Sequence, residues 1–360
     1  MKKLWFVALF ISYSMWAHII TVDGDDSDWI GTSPAVEDTF TYSEGEFIWR
    51  DAINDDKGDG GDALAASDNP SSYIYPTATN FRGTEADIKE IRITADESQN
   101  KLYFLIKIDY GEVWMPFVAI CIDLDHIKGS GQVWLCDYGD LLLDSLNAWE
   151  YCIAVRNMKV DVYDANWTII DSTSENYFKV DTLNGLIELG IDISKWSITP
   201  WNKNIFVTVC CGLNEDYNFR EVAYSETAWT PGGGTDDWSD PDVFDIAFAK
   251  QTQQIADLSS YTDTTAAILS ETSVATVDMT KITAVEENIS EHYLKILRNI
   301  NELLIESHKT KNTLKIYDVS GRLIENIELN NKIVRWKKDL PAGIYIFNLN
   351  GYSGKLIIMK

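Results

Sequence analysis

Apolar residues in the first 210 positions recur in short blocks, not in helical stripes. The blocks are Ile19-Ile-Thr-Val22, Ile88-Lys-Glu-Ile-Arg-Ile-Thr94, Lys101-Leu-Tyr-Phe-Leu-Ile-Lys-Ile108, Phe117-Val-Ala-Ile-Cys-Ile122, Ala148-Trp-Glu-Tyr-Cys-Ile-Ala-Val155, Leu186-Ile-Glu-Leu-Gly-Ile191 and Ile205-Phe-Val-Thr-Val-Cys210. They are rich in β-branched and aromatic residues and are separated by Asp, Asn, Gly and Ser, a pattern that predicts strands of an antiparallel β-sandwich. A denser set follows near the C-terminus: Tyr293–Arg298, Glu302–Glu306, Leu314–Tyr317, Arg322–Glu325, Ile344–Leu349 and Lys355–Met359. Six such runs in under 80 residues predict a second, small Ig-like sandwich. Between the two sets, residues 251–283 carry twelve Ser/Thr and a single base, Lys281, which is linker composition. Only Ser273–Asp278 there could pair as an edge strand. The expectation is an all-β chain: a large antiparallel β-sandwich over 18–250, a linker over 251–283 and a small C-terminal sandwich over 284–360.

The first residues have another character. Met1-Lys2-Lys3 precedes the apolar run Leu4–Ile11 and then small residues up to Ala17. A basic start and a run short of the roughly 20 residues that span a bilayer predict a cleaved secretory signal over 1–17. No other segment approaches spanning length, so the mature chain is expected to be exported, without a transmembrane segment.

Charge sharpens the division. The 360 residues hold 56 acids and 30 bases, a net −26. Up to Lys250 there are 43 acids and 17 bases, and after it 13 of each. All the acidity therefore belongs to the large sandwich, and it argues against nucleic-acid and anionic-membrane partners, whose phosphates it would repel. Five cysteines (Cys121, Cys136, Cys152, Cys210, Cys211) form no CxxC and read as small buried hydrophobes.

Some of the acidity is concentrated. Asp51, Asp55, Asp56, Asp59 and Asp62 fall within twelve residues that also hold Gly58, Gly60 and Gly61. Crowded carboxylates with tight glycine turns offer the hard oxygen ligands calcium prefers, so a structural Ca2+ is expected at these five aspartates. The spacing is not that of an EF-hand, because Lys57 stands at a ligand position, and a solvated acidic loop is the alternative. Asp23–Asp28 and Asp236–Asp242 are weaker candidates.

Ten of the thirteen tryptophans lie in 18–250. Trp29, Trp49 and Trp149 sit beside strand patterns and are expected in the core. Trp114, Trp134, Trp201 and Trp238 neighbour Gly, Pro, Asp or Asn, and are the candidates for stacking on a sugar ring. Catalytic signatures are lacking: there is no HExxH, GxSxG or phosphate loop, and beyond His18 at the mature terminus His126 is the only histidine inside the large body. That scarcity works against a Ser/His/Asp triad, a His-based zinc centre or a haem ligand set. A carboxylate pair for glycoside hydrolysis has no distinguishing motif among 43 acids.

Two resemblances extend this reading. Ile19-Ile-Thr-Val-Asp-Gly-Asp-Asp-Ser-Asp-Trp29 resembles the opening strand and turn of family 9 carbohydrate-binding modules and DOMON-like domains. Phe47-Ile-Trp-Arg-Asp51, Asn54–Gly60, Tyr73-Ile-Tyr-Pro76, Ala86-Asp-Ile88, Ala228–Gly234 and Asp240-Pro-Asp-Val-Phe-Asp245 are similar to segments of the glucodextranase-type C-terminal binding module. At the other end, Leu314–Leu323, Leu340–Tyr345 and Gly354–Lys360 resemble the type A C-terminal sorting domain of the type IX (Por) secretion system. Its motif maps to Tyr317, Asp318, Gly321, Arg322, Pro341, Gly343, Tyr345, Gly354 and Lys355. Asp318-Val-Ser-Gly321 reads as a turn needing positive φ at the glycine, and Leu340–Gly343 as another.

The resemblances imply a secreted or cell-surface protein that binds an extracellular polysaccharide or oligosaccharide without catalysis and is handed to an outer-membrane translocon by its C-terminal domain. The alternatives are a surface module for protein interaction without sugar binding, and a glycoside hydrolase with an unrecognised carboxylate pair.

Overall fold

A computed structural model describes residues 20–60, 72–108, 116–156, 159–173, 178–235, 238–262 and 264–284, and beyond these 295–299, 302–306, 312–329, 333–336, 343–349 and 352–358. The expected signal segment 1–17, Trp114, Asp62 and Pro341 lie outside the described residues. The chain divides into two units, Met1–Val285 and Glu286–Lys360.

The first unit is a sandwich of two antiparallel sheets. One sheet runs in the order Thr39–Ser43, Glu46–Arg50, Ile88–Asp96, Lys101–Ile108, Leu186–Asp192, Phe178–Asp181. The other runs Asn204–Glu215, Pro116–Asp123, Tyr151–Arg156, Lys159–Asp164, Ile169–Thr173. The free side of Asn204–Glu215 is tiled by three short strands, Ala275–Asp278, Asp245–Ala247 and Asn218–Phe219. The expected runs from Ile88 to Cys210 all appear as strands or within longer ones, except that Ala148–Val155 begins only at Tyr151, in Tyr151–Arg156. The expected opening strand Ile19–Val22 is not: Ile20, Thr21 and Val22 form no ladder, and Ile20 instead packs with Trp29, Tyr103, Leu105 and Leu186 outside the first sheet.

That packing explains why so many strands are apolar without a break. In Lys101–Ile108, Leu102, Phe104, Ile106 and Ile108 face the core between the sheets, while Tyr103 and Leu105 face the cover supplied by Ile20 and Trp29. Pro116–Asp123 is buried at every position. Val118, Ile120 and Ile122 point inward, and Phe117, Ala119 and Cys121 point into a second core on the outer face. A strand needs apolar residues at successive positions only when both faces are covered. Trp29, Trp49 and Trp149 are buried as expected. All five cysteines are buried free thiols, with Cys210 in the outer core and Cys211 in the inner one.

The outer core overturns the expected linker. Residues 251–283 form the helix Gln251–Leu258, the strands Ala267–Leu269 and Ala275–Asp278, and the short helix Met279–Ile282. Leu258, Tyr261, Ala267 and Leu269 complete the outer core, and Val277, Met279 and Ile282 enter the inner one. Two of their hydroxyl residues are internal ligands. Buried Asp257 accepts from Ser270 N (3.0 Å), Ser270 Oγ (2.9 Å) and Ser273 Oγ (2.6 Å). Ser/Thr content here satisfies a buried carboxylate, so the segment belongs to the sandwich, and Ala275–Asp278 pairs Asn204–Glu215 as a sheet member.

The second unit holds two antiparallel sheets. One has the order Lys295–Asn299, Glu302–Glu306, Ile333–Trp336, and the other Leu323–Leu329, Asn312–Asp318, Gly343–Leu349, Tyr352–Ile358. Six of these seven strands coincide with the expected runs, and Ile333–Trp336 was not anticipated. The turn after Asn312–Asp318 follows its sequence signature: Gly321 has φ +82°, its N–H donates to Asp318 O (3.0 Å), and the Asp318 side chain accepts from Ser320 N and Arg322 N. Tyr345 is buried, and Gly354 and Lys355 pair with Phe347 and Ile346.

Candidate functional site

Two places in the first unit have a chemistry that packing alone does not account for. One is an open groove of about 450 Å³ lined by Tyr138, Asp140, Glu215, Asp216, Asn218, Phe219, Glu221, Trp238 and Asp242. It lies where the 137–140 loop meets the Asn218–Phe219 strand. Phe219 N donates to Asp137 O (3.0 Å), and Asp242 N donates to Gly139 O (3.2 Å). The Asp137 carboxylate is held from behind by the buried Arg156 guanidinium and by Tyr163 OH (3.0 Å). Asp137, Tyr138, Asp140, Asp216 and Tyr217 all adopt positive φ, a conformation that costs non-glycine residues energy and persists only where the surroundings impose it. Tyr138 is 73% exposed and Trp238 54% exposed. Two large aromatic surfaces are thus held at the lip of a carboxylate-lined groove.

Trp134 adjoins it, with its ring centroid 6.5 Å from that of Trp238 and the planes inclined by 55°. The Trp134 backbone is fixed by Trp149, whose Nε1 donates to Trp134 O (2.9 Å). Of the four tryptophans proposed for stacking, Trp134 and Trp238 therefore share a face. Trp201 does not: it is half-buried against the core between the sheets. Within the groove, Asp242 is buried and accepts from Val222 N (2.7 Å). Burial, and then the neighbouring carboxylates of Asp140, Asp240 and Glu221, push its carboxyl well above the usual range.

The second place is internal. Asp38, Asp51 and Asp55 bring carboxylate oxygens within 4.8 Å of one another, and so do Asp55, Asp87 and Asp245. Asp51, Asp55, Asp87 and Asp245 are buried. Burial, reinforced by Asp87, raises Asp55 to about 7, and burial, reinforced by Asp56, raises Asp87 to about 6. Burial and neighbouring carboxylates raise Asp51 and Asp245 further.

The five aspartates expected from sequence to bind calcium are thus separated by the fold. Asp51 and Asp55 enter the cluster. Asp56 is taken by Lys57 (2.9 Å) and by the Tyr75 hydroxyl. Asp59 accepts from Tyr261 OH (3.1 Å). The partners missed were Asp38, Asp87 and Asp245. Asp87 and Asp245 stand in the segments Ala86–Ile88 and Asp240–Asp245 that carried the resemblance, each an aspartate set among buried apolar neighbours.

A third acidic group, Asp123, Asp125 and Glu150, is locally satisfied. Asp123 accepts from Asp125 N and His126 N, and Glu150 accepts from Leu124 N and Ser130 Oγ.

Two packed antiparallel sheets with an aromatic groove at one edge define a β-sandwich module. The family model of the C-terminal, SLH-like binding module of glucodextranase matches residues 47–271, and the chain belongs to that family. The match runs past Lys250, in keeping with the incorporation of 251–271 into the sandwich. Comparison with the curated proteins returns no match. Among solved structures, native alpha-2-macroglobulin from Escherichia coli, spanning domains MG0-NIE-MG1, aligns over 89% of this chain and 95% of its own at 9% identity. Its TM-score of 0.16 supports no argument about fold or function.

Proposed function

We propose that this protein is exported and that its sandwich binds carbohydrate without transforming it, with the glycan lying in the groove beside Trp238. The observation that carries the reading is membership of a glucodextranase binding-module family joined to an exposed aromatic pair above carboxylate acceptors. A pyranose presents an apolar face that suits Trp238 and Tyr138, and its hydroxyls donate to Asp140, Glu221 and the neighbouring acids. The test is a polysaccharide pull-down and glycan array with the full chain. Retention on at least one glycan, lost in Trp238→Ala with the fold intact, supports it. No retention on any glycan by folded protein removes it in favour of a protein-interaction surface.

One observation favours a hydrolase as the second reading. Burial and neighbouring carboxylates raise the Asp242 carboxyl beside Asp140 and Glu221, and an acid raised in this way beside further carboxylates is the arrangement of a glycosidase. Reducing ends released during the same pull-down would establish that reading, and their absence the binding one.

The C-terminal unit serves, in this proposal, as a sorting domain for an outer-membrane translocon of the type IX kind. Its support is the Asp318–Arg322 turn and a local excess of eight bases over four acids in residues 313–360. Deleting residues 312–360 should leave the protein periplasmic in cell fractions, and normal appearance at the surface or in the medium would rule the assignment out.

A further inference from the structure

The carboxylate cluster is distinguished by what its oxygens lack. Asp51 Oδ2, both Asp55 side-chain oxygens, Asp245 Oδ1 and Asp38 Oδ1 are buried without a hydrogen-bond partner. Asp55 is 2% exposed, and Asp51 and Asp245 are fully buried. Three carboxylates of the cluster have one partnered oxygen each. Asp51 Oδ1 accepts from Trp49 Nε1 (3.0 Å), Asp245 Oδ2 from Ile88 N (2.7 Å) and Asp87 Oδ1 from Asn54 N (2.8 Å). Asp51, Asp87 and Asp245 are thus each held by a donor on one oxygen, while Asp55 has none on either. Lys57 is engaged by Asp56, and cations reach the cluster through the through-space attraction of Lys57 and Lys89 on Asp87 and of Lys250 on Asp38. Buried polar atoms are almost always partnered, and carboxylates gathered in the interior need either protons or a counter-charge.

We propose that Asp51, Asp55, Asp87 and Asp245, with Asp38 at the rim, bind one Ca2+ that fastens the two sheets of the sandwich together. The donor set is all carboxylate, with no thiolate or imidazole, which selects a hard cation. Oxygens on opposite sides of Ca2+ stand about 4.6–5.2 Å apart, twice the metal–oxygen distance, which suits the two triads Asp38/Asp51/Asp55 and Asp55/Asp87/Asp245, each gathered within 4.8 Å and joined through Asp55. The ion joins elements distant in sequence. Asp51 and Asp55 follow Glu46–Arg50, and Asp87 precedes Ile88–Asp96, both in the first sheet. Asp245 opens Asp245–Ala247, which pairs with Asn204–Glu215 in the second. The site differs from the groove in residues and chemistry, and it stands whether or not the groove binds glycan.

Terbium luminescence on the full chain tests the site. Tb3+ replaces Ca2+ at oxygen sites, and the Trp49 indole, hydrogen-bonded to Asp51, is placed to sensitise its emission. The expected result is saturable emission displaced by Ca2+, with affinity more than about tenfold weaker in Asp55→Asn and unchanged in Asp125→Asn, which alters the satisfied cluster. Thermal unfolding supplies a second readout with a sign change. Asp55→Asn should melt below the wild type in Ca2+ but above it in EDTA, because without metal the substitution removes buried charge repulsion. If Asp55→Asn does not fold, Asp87→Asn is read in the same way. Equal Tb3+ affinity in wild type and variant, or melting of the wild type indifferent to both Ca2+ and EDTA, would overturn the proposal.

Discussion

Cutting the chain at Lys250, where its composition changes, should destroy the first unit, while cutting at Val285 should not. The shorter fragment loses Leu258, Tyr261, Leu269, Val277, Met279 and Ile282, each 2% exposed or less. Fully burying an apolar side chain of this size stabilises by about 1.5–3 kcal/mol, so these six together contribute about 9–18 kcal/mol as an upper bound. That is comparable to or larger than the whole stability of a typical domain, about 5–15 kcal/mol. The cut also uncovers Phe117, Cys121, Cys152 and Cys210 on the outer face of the second sheet, and removes Ala275–Asp278 from the edge of Asn204–Glu215. Fragments 20–250 and 20–285 are compared by thermal melting followed by circular dichroism and by limited proteolysis. The longer one should melt cooperatively, and the shorter one should aggregate or be digested throughout. A cooperative, protease-resistant fragment 20–250 would show that residues 251–283 only rest on the sandwich, and would refute the reasoning.

Three further outcomes follow from the same contacts. Arg92, 6% exposed, donates to Glu46 (3.0 Å), Glu90 (2.7 Å), Ser33 Oγ (3.1 Å) and the carbonyls of Trp29 and Gly31, so Arg92→Met takes the guanidinium from buried Glu46 and leaves Glu90 with Lys107 (3.3 Å), and should cost about 3–5 kcal/mol in urea unfolding. Burial pushes the Glu90 carboxyl up, but Ser33 and Arg92 outweigh it and hold it below its ordinary value. Its stabilisation is therefore complete above the unfolded pKa of about 4.3 and is lost as pH falls through the lower folded value. Urea midpoints between about pH 7 and pH 3 should fall less steeply in Glu90→Gln, and parallel curves would contradict this. A Cβ on Gly131 would stand 2.3 Å from Trp149 O, so Gly131→Ala should lower stability by about 1–3 kcal/mol and, by shifting the Gln132–Trp149 pairing beneath Trp134, weaken glycan binding as well.

Much of the architecture was legible because strand signals are local. Lys101–Ile108 and Phe117–Ile122 declare themselves by β-branched and aromatic runs, and the structure moves their ends by a residue at most. The segment 251–283 was misread because composition records that Ser270 and Ser273 carry hydroxyls, not that both turn inward onto Asp257. The groove was half legible. The Gly and Asp neighbours of Trp134 and Trp238 mark both as loop residues, but their approach to 6.5 Å depends on pairing between strands far apart in the chain. The carboxylate cluster shows the same limit. Asp51 and Asp55 were found by local density, which equally selected Asp56 and Asp59, whereas Asp87 and Asp245 arrive from 30 or more residues away.

The acidity of the first unit resolves into three physical kinds of carboxylate. Glu46, Glu90 and Asp161 are buried against Arg92, Arg156 and Lys159, so their charge is balanced within the fold. Glu188 and Asp257 are buried among donors instead: Glu188 accepts from Asp23 N, Gly24 N and Trp29 Nε1, and acts as a staple for the opening segment. Asp51, Asp55 and Asp245 have neither a cation nor a full set of donors. A fold that balances the first two kinds so completely does not leave several unbalanced charges together at the junction of its sheets by neglect of packing, because the penalty for one buried unpaired carboxylate already rivals the contribution of a large core side chain. The acidity that argues against a nucleic-acid partner is thus, at this one place, what the proposed cation would balance.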